Sequence, residues 1–442
     1  MPQKPARPKL LQAMLDALSV PDLRQKLLVT LGLVVIFRFV AHVPVAGVDV
    51  AALRQLFQQN AVLGMLDLFS GGAMRNFSVA AMGVYPYITA SIILQLLIPV
   101  IPALGRIAEE GEAGRNKINM FTYWLTIPLA GISGYGQLLI MQRSDPPVVA
   151  STTALQTAAI LLSIIAGTMF IIWLGELITD YGIGNGVSII IFAGIVTGLP
   201  QTVGQGFLAQ QQGQVLGVIV YILLALATIV AIVIFTEAHR RIPVQYAKSV
   251  FRGGRMYKQS GSTHIPLRVN AAGMIPLIFA SSMVLFPSVI ASYFVNPAGE
   301  APNLANYIVK IFDAGAPMPL GLVYWNLLFW FAIGFSFFYT YVIFEQQDIP
   351  GTLQRQGGFV PGIRPGKETA KYLNGVINRI TWAGALFLAV VAIMPFLAKE
   401  ISGVQVVQLS SMGLLVMVGV ILDTMKSIEA QLVMRRYEGF IK

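Results

Sequence analysis

The chain has 442 residues, 56% hydrophobic and 11% charged, with a formal net charge of +10. Soluble globular proteins carry about 25% charged residues, so an ordinary water-soluble enzyme is excluded, as is intrinsic disorder, which needs the opposite bias. Cysteine is absent, which removes disulfides, thiolate catalysis and cysteine metal sites. The apolar residues gather in runs of roughly 18–25, the length that crosses a bilayer as helix, and not in the alternating segments of about ten residues that build a β-barrel. The composition is that of a polytopic all-α membrane protein.

Residues 1–26 are polar and basic, with no cleavage site before the first apolar run, so the first span is expected to stay in the protein. Ten apolar segments follow: 27–45, 76–100, 119–141, 154–178, 187–208, 215–236, 271–295, 320–344, 380–397 and 404–422. The fifth is clean only to Leu199. The second contains Pro86, Pro99 and Pro102, which predict a bend or break.

Basic residues test this count. With the N-terminus in the cytoplasm, segments 1–26, 101–118, 179–186, 237–270, 345–379 and 423–442 hold 24 of the 30 Lys and Arg. The opposite side holds 5, and Arg38 lies within a span. One missed helix would swap the sides of every later loop, so both termini are expected in the cytoplasm. Part of this charge serves only to set orientation and to touch anionic membrane lipid.

Ten spans divide into two five-helix halves, 27–208 and 215–422, joined in the uncharged polar stretch Gln201–Gln214 with 209–214 as the hinge, and followed by a tail at 423–442. Five is odd, so the halves enter the membrane from opposite sides. An inverted repeat with a working site at its seam becomes possible. Ala80-Ala81-Met82-Gly83-Val84-Tyr85-Pro86 opens the second span, and Ala271-Ala272-Gly273-Met274-Ile275-Pro276 opens the seventh, its counterpart.

The sequence carries no HExxH, no His pair at helical spacing and no phosphate-binding loop. Gly182-Ile183-Gly184-Asn185-Gly186 reads as a tight turn before a helix, because no P-loop lysine follows. Metal and cofactors are not expected. Ionisable groups in the spans are few. Arg38 is expected to snorkel or pair within the bundle, and Glu176 and Asp180 read as solvated or interfacial carboxylates at a helix end. Uncharged polar residues stand out instead: Thr89, Ser91 and Gln95 in the second span, Ser281 and Ser282 in the seventh. Such residues either glue helices together or form a seam that can part. Asn60–Phe77 is moderately apolar, too short to span and closed by Gly71-Gly72. It is either a surface-lying helix or a re-entrant segment in a cavity.

Two loops on the basic side are patterned. Segment 237–270 interleaves Arg240, Arg241, Lys248, Arg252, Arg255, Lys258 and Arg268 with Tyr246, Phe251 and Tyr257, which suits a large anionic partner. Segment 355–366, RQGGFVPGIRPG, uses glycine and proline to shape a tip that presents Arg364.

At these residues the chain closely resembles the SecY family, the channel subunits of the bacterial protein-export translocon. The resemblance rests on SVAAMGVYPYITASIILQ at 78–95, LFSGG at 68–72, GIGNGVSIIIFAGI at 182–195, HRRIPVQYAK at 239–248 and FVPGIRPG at 359–366, in order along nearly the whole chain. It implies ten transmembrane helices in two inverted halves around a central pore of the bacterial plasma (inner) membrane. Unfolded secretory polypeptides with signal sequences would pass through, and membrane helices would leave by a lateral gate. An apolar waist that neither holds a passing chain nor conducts ions would comprise Val84, Ile88, Val187, Ile191, Ile275, Ile278 and Val416. Several of these are Val where relatives carry Ile, which would widen the constriction. A plug at about 62–74 would include Leu66, Leu68, Phe69, Ser70, Gly71 and Gly72. The gate would use Thr89, Ser91, Gln95, Ser281 and Ser282. Arg240, Arg241, Lys248, Arg252, Arg255 and Arg364 would dock the ribosome and the SecA motor ATPase, with SecE clamping the bundle and SecG peripheral. Such a channel does no covalent chemistry. The rivals are a secondary transporter of a small solute, which calls for an ionisable or coordinating cluster at mid-membrane, and a non-transporting scaffold, which leaves the re-entrant segment without purpose.

Overall fold

The structure, a computed structural model, describes residues 20–49, 51–53, 70–143, 147–149, 153–211, 215–252, 255–271, 273–292, 294–295, 302–316, 319–347, 349–403 and 411–438. Thirteen α-helices lie among them: α1 Pro21–Val40, α2 Tyr85–Leu97, α3 Pro102–Glu109, α4 Glu112–Arg143, α5 Ala154–Tyr181, α6 Gly186–Gln211, α7 Val215–Glu237, α8 Ile275–Ser292, α9 Leu304–Ile311, α10 Gly321–Gln347, α11 Ile349–Arg355, α12 Lys367–Ser402 and α13 Ser411–Glu438. Each of the ten apolar segments overlaps one of these helices. Local chemistry sets several ends. Pro21 opens α1 where a missing N–H costs nothing. Thr153 and Gln156 form a reciprocal capping box at α5, and Asn303 and Asn306 do the same at α9.

Six helices are long and apolar enough to cross a membrane, and seven if α2 and α3 count as one broken span. The expected ten are thus not reached on length and composition among the described residues. Helix α1 begins with Asp22, Arg24 and Lys26, which dilute its apolar run, and α6 is apolar only to Pro200. The break in the second span falls where the prolines place it. α2 and α3 meet at 106°, with Ile101 extended just before Pro102. Prolines 128, 200, 287 and 395 lie inside α4, α6, α8 and α12, as membrane helices tolerate.

The fold is helical as expected, with one small sheet added outside the spans. Residues 237–270 are not a loop: β1 (His239–Arg252) and β2 (Arg255–Arg268) pair antiparallel from His239↔Arg268 to Arg252↔Arg255. A short β3 (Gly358–Phe359) joins β1 at Gln245 and Tyr246, giving the order β2-β1-β3. Ile242 and Val244 alternate inward and bury with Leu267, Leu353, Val360 and Leu373.

The chain falls into two compact units. The first comprises 1–208, 285–321 and 416–442, and the second 209–284 and 322–415. In the first, Leu53, Met74, Phe77, Leu138, Met141 and Ile164 form a core beneath α4 and α5. Leu23, Ile183 and Ile428 tie α1, the α5–α6 turn and α13 together. Between helices in lipid the hydrophobic effect gives little, so close backbone approach matters more. A Cβ at Gly186 would overlap the carbonyl oxygen of Gly175, and one at Gly167 would overlap that of Val79. In the second unit, α7 packs along α12, and Phe235 stacks on Phe387 with centroids 3.9 Å apart.

Candidate functional site

In the first unit the site is built on residues 70–97. Ser70 is buried, and its Oγ accepts from the Met74 N–H at 3.0 Å. A single 3-10 turn, Met74–Asn76, follows and ends at Phe77, which is fully buried with φ 38°. That left-handed backbone is held from both sides. Phe77 N–H donates to Met74 O at 2.9 Å, and Phe77 O accepts from Val45 N–H at 3.0 Å. Linked turns through Ser78, Ala80 and Gly83 lead into α2, so the helix begins at Tyr85 and not at 76. Leu66, Leu68 and Phe69 of the expected plug lie outside the described residues.

Arg38 reaches the end of that segment. Its Nη1 donates to Gly71 O at 2.7 Å. Phe37 lies beside Gly71 and is fully buried. A Cβ at Gly194 in α6 would overlap the Gly71 Cα, so the two backbones touch. Sequence reasoning singled out Arg38 as the one Lys or Arg in a span but gave it no partner. It missed Gly194, which looks like any small residue of an apolar run.

The aliphatic ring candidates recur at one-turn spacing. Val84 is fully buried and its carbonyl accepts the Ile88 N–H at 3.0 Å. Val187 and Ile191 stand one turn apart near the start of α6, Ile275 and Ile278 in the first turn of α8, and Val416 is buried in α13. The opening turns of α2 and α8 match in backbone as well as in sequence. Gly83 (φ 53°) and Gly273 (φ 65°) both take the left-handed conformation three residues before Pro86 and Pro276. That register aligns Ile88 with Ile278 and Ser91 with Ser281 in sequence.

The polar residues of the two helices are sparingly satisfied. Thr89 Oγ1 bonds back to Tyr85 O at 3.0 Å, and Ser281 Oγ to Ile278 O at 2.9 Å. Gln95 Nε2 donates to Ser91 Oγ at 3.2 Å, while Gln95 Oε1 and Ser282 Oγ are buried without a hydrogen-bond partner among the described residues. A buried polar atom left unpaired costs about 1–3 kcal/mol. Glu176, expected to be solvated or interfacial, has a partner. It is half-buried and accepts a hydrogen bond from the Tyr123 hydroxyl, and Tyr123 stacks on Tyr87 of α2 at 5.8 Å. The glycine run at 182–186 is the tight turn expected. Gly182 ends α5, Ile183 N–H donates to Thr30 Oγ1 at 3.2 Å, and Asn185 Oδ1 caps α6 through Ser188 N–H at 3.0 Å.

In the second unit the basic residues sit on the sheet and on the turn beside it. Arg240 and Arg241 are exposed, and Arg241 Nε donates to His239 Nε2 at 3.2 Å. Lys248 pairs in register with Gln259, and Arg252 with Arg255. Fourteen paired residues extend about 45 Å. Arg364 is exposed on a rigid turn. Ile363 N–H donates to Val360 O at 3.1 Å, and Thr369 Oγ1 donates to Arg364 O at 2.8 Å. Val360 is 3% exposed beneath it. Among the described residues no three His, Asp or Glu gather as a metal site would need.

The SecY family model matches residues 78–425. The chain is 44% identical over 432 residues to the protein translocase subunit SecY of Halalkalibacterium halodurans, covering 96% of this chain and 98% of that one. Against the subunit of the same name from Thermotoga maritima, identity is 41% over 440 residues, covering 98% of each. Two solved structures share the fold at low identity. One is a channel described with a SecY plug domain that stabilises the closed state (TM-score 0.63, 16% identity, 93% and 92% covered). The other is Sec61 in the canine ribosome–channel complex of the endoplasmic reticulum (TM-score 0.64, 15% identity, 93% of each).

Proposed function

The chain belongs to the SecY family, and on that premise we propose that it is the protein-conducting channel of the bacterial Sec translocase, a multi-pass protein of the plasma membrane. It passes unfolded secretory polypeptides and releases membrane helices sideways. The observation that carries this is family identity of 41–44% across nearly the whole chain. Spans almost free of charge agree with it, because a fixed ionic site would help one cargo and obstruct the next.

The chain itself does no covalent chemistry. Energy comes from SecA or from chain elongation at the ribosome, and the channel supplies a two-state element, closed or open. In this reading Val84, Ile88, Val187, Ile191, Ile275, Ile278 and Val416 form the waist, and 62–74 is the plug. Thr89, Ser91, Gln95, Ser281 and Ser282 line the gate. The matched left-handed glycines ahead of Pro86 and Pro276 support a repeat, which this reading takes as two inverted halves, 27–208 and 215–422, with ten spans and both termini in the cytoplasm. Arg240, Arg241, Lys248, Arg252, Arg255 and Arg364 dock the ribosome and SecA, and SecE and SecG complete the complex. The ribosome-bound canine relative supports the first of these partners. Reconstitution with SecE, SecG and SecA in proteoliposomes tests the proposal. A secretory precursor should become protease-protected only with ATP, and absence of protection would overturn the assignment.

A further inference from the structure

We infer that Arg38 is the positioning residue that latches residues 70–74, the described end of the plug candidate, to α1, through the Gly71 carbonyl and in a slot that Gly194 leaves open. The inference rests on the plug reading of 62–74. Three contacts converge on one residue. The Arg38 Nη1–Gly71 O bond is short, at 2.7 Å, and charge-assisted. The Phe37 ring edge lies 2.6 Å from where a Gly71 Cβ would stand, so the segment is seated against α1 by a glycine alone. On the other side Gly194 and Gly71 touch backbone to backbone, leaving no space for a side chain on either.

The chemistry favours the seated state. A guanidinium inside a span is costly unless an acceptor meets it. Gly71 O is in reach of Arg38 only while the end of the segment is in place, so unseating it removes a charge-assisted bond. The opening event must supply that energy. The Arg38–Gly71 bond and the glycine contact are reversible interactions, so they can be released by a chain entering the pore and can re-form afterwards.

Resting conductance of the full-length complex in planar bilayers tests this. Arg38→Met, which keeps the side-chain length and removes the donor, should raise the resting leak about tenfold or more. Arg38→Lys, which keeps a cationic donor, should restore most of the seal. Gly194→Ala should leak as Arg38→Met does. In a channel lacking 62–74, Arg38→Met should add nothing. Wild-type conductance of Arg38→Met, beside a leaky deletion, overturns the latch and spares the plug. An equal added leak in the deletion background also overturns it, because Arg38 would then seal by another route. Unchanged conductance of the deletion itself removes the plug reading on which the latch depends. If Arg38→Met fails to assemble, Gly194→Ala and the ranking of Arg38→Lys still decide.

Discussion

Gly167 in α5 lies against the carbonyl of Val79 so closely that a Cβ there would overlap the oxygen. Val79 in turn donates its N–H to Val43 O at 3.0 Å. One glycine thereby seats the turns at 78–84 that deliver Val84 to the start of α2. Gly167→Ala must push backbone against backbone, which a flexible side chain cannot absorb. We expect a loss of about 1–3 kcal/mol, read as a lowered melting temperature in detergent. Gly334→Ala, where nothing lies within 4 Å of the new atom, should be neutral or slightly stabilising. Equal melting temperatures for the two variants would refute the packing role.

Tyr123 and Glu176 fasten α4 to α5 at a half-buried site. Tyr123→Phe keeps the ring that stacks on Tyr87 but leaves the carboxylate short of a donor. The expected cost is about 1–3 kcal/mol. Glu176→Gln keeps an acceptor and removes the charge, so it should cost less. Thermal melting ranks the two, and a larger loss for Glu176→Gln would contradict the arrangement.

Which parts of this molecule could be read from sequence follows from what hydrophobicity measures. It reports residence in lipid, so every apolar run holds a helix. It does not report backbone conformation: Ser78–Val84 is as apolar as α2 but runs in turns, because its N–H groups bond to Ser78, Ala80 and Val43 carbonyls. The hairpin at 239–268 was legible in the alternation Ile242, Val244, Tyr246. Its basic charge and Pro243 made it look like a loop. β3 reaches only Gln245 and Tyr246, so at Pro243 the strand is an edge and tolerates the missing N–H. Glycines such as Gly167 and Gly194 gave no signal, since a packing glycine and an idle one are the same letter.

Arg364 stands on a turn that Thr369 and Val360 hold in shape. Reversing its charge alters recognition without touching that support. Arg364→Glu should impair SecA-driven export severely while melting as the wild type does. Val360→Asp buries a charge beneath the same turn. It should lower stability and weaken docking together, because a lone buried charge costs several kcal/mol. Normal export by Arg364→Glu would remove the turn from the docking surface.

Ile88 and Ile278 occupy equivalent places three residues into α2 and α8, each five residues after a left-handed glycine. If both face the polypeptide path, a passing chain must slide over each of them. The chain has no cysteine, so Ile88→Cys and Ile278→Cys each introduce a single thiol on a clean background. A stalled translocation intermediate should crosslink to both. Leu162→Cys, at an α5 residue that is 67% exposed and suited to lipid, should give no adduct. Crosslinks of equal yield at position 162, or none at 88 and 278, would place the path elsewhere. Substitution by another aliphatic residue should leave transport nearly intact, because a waist at these positions would act by being apolar and by filling space. Ile278→Asp should instead admit water and ions to the constriction and raise the resting conductance.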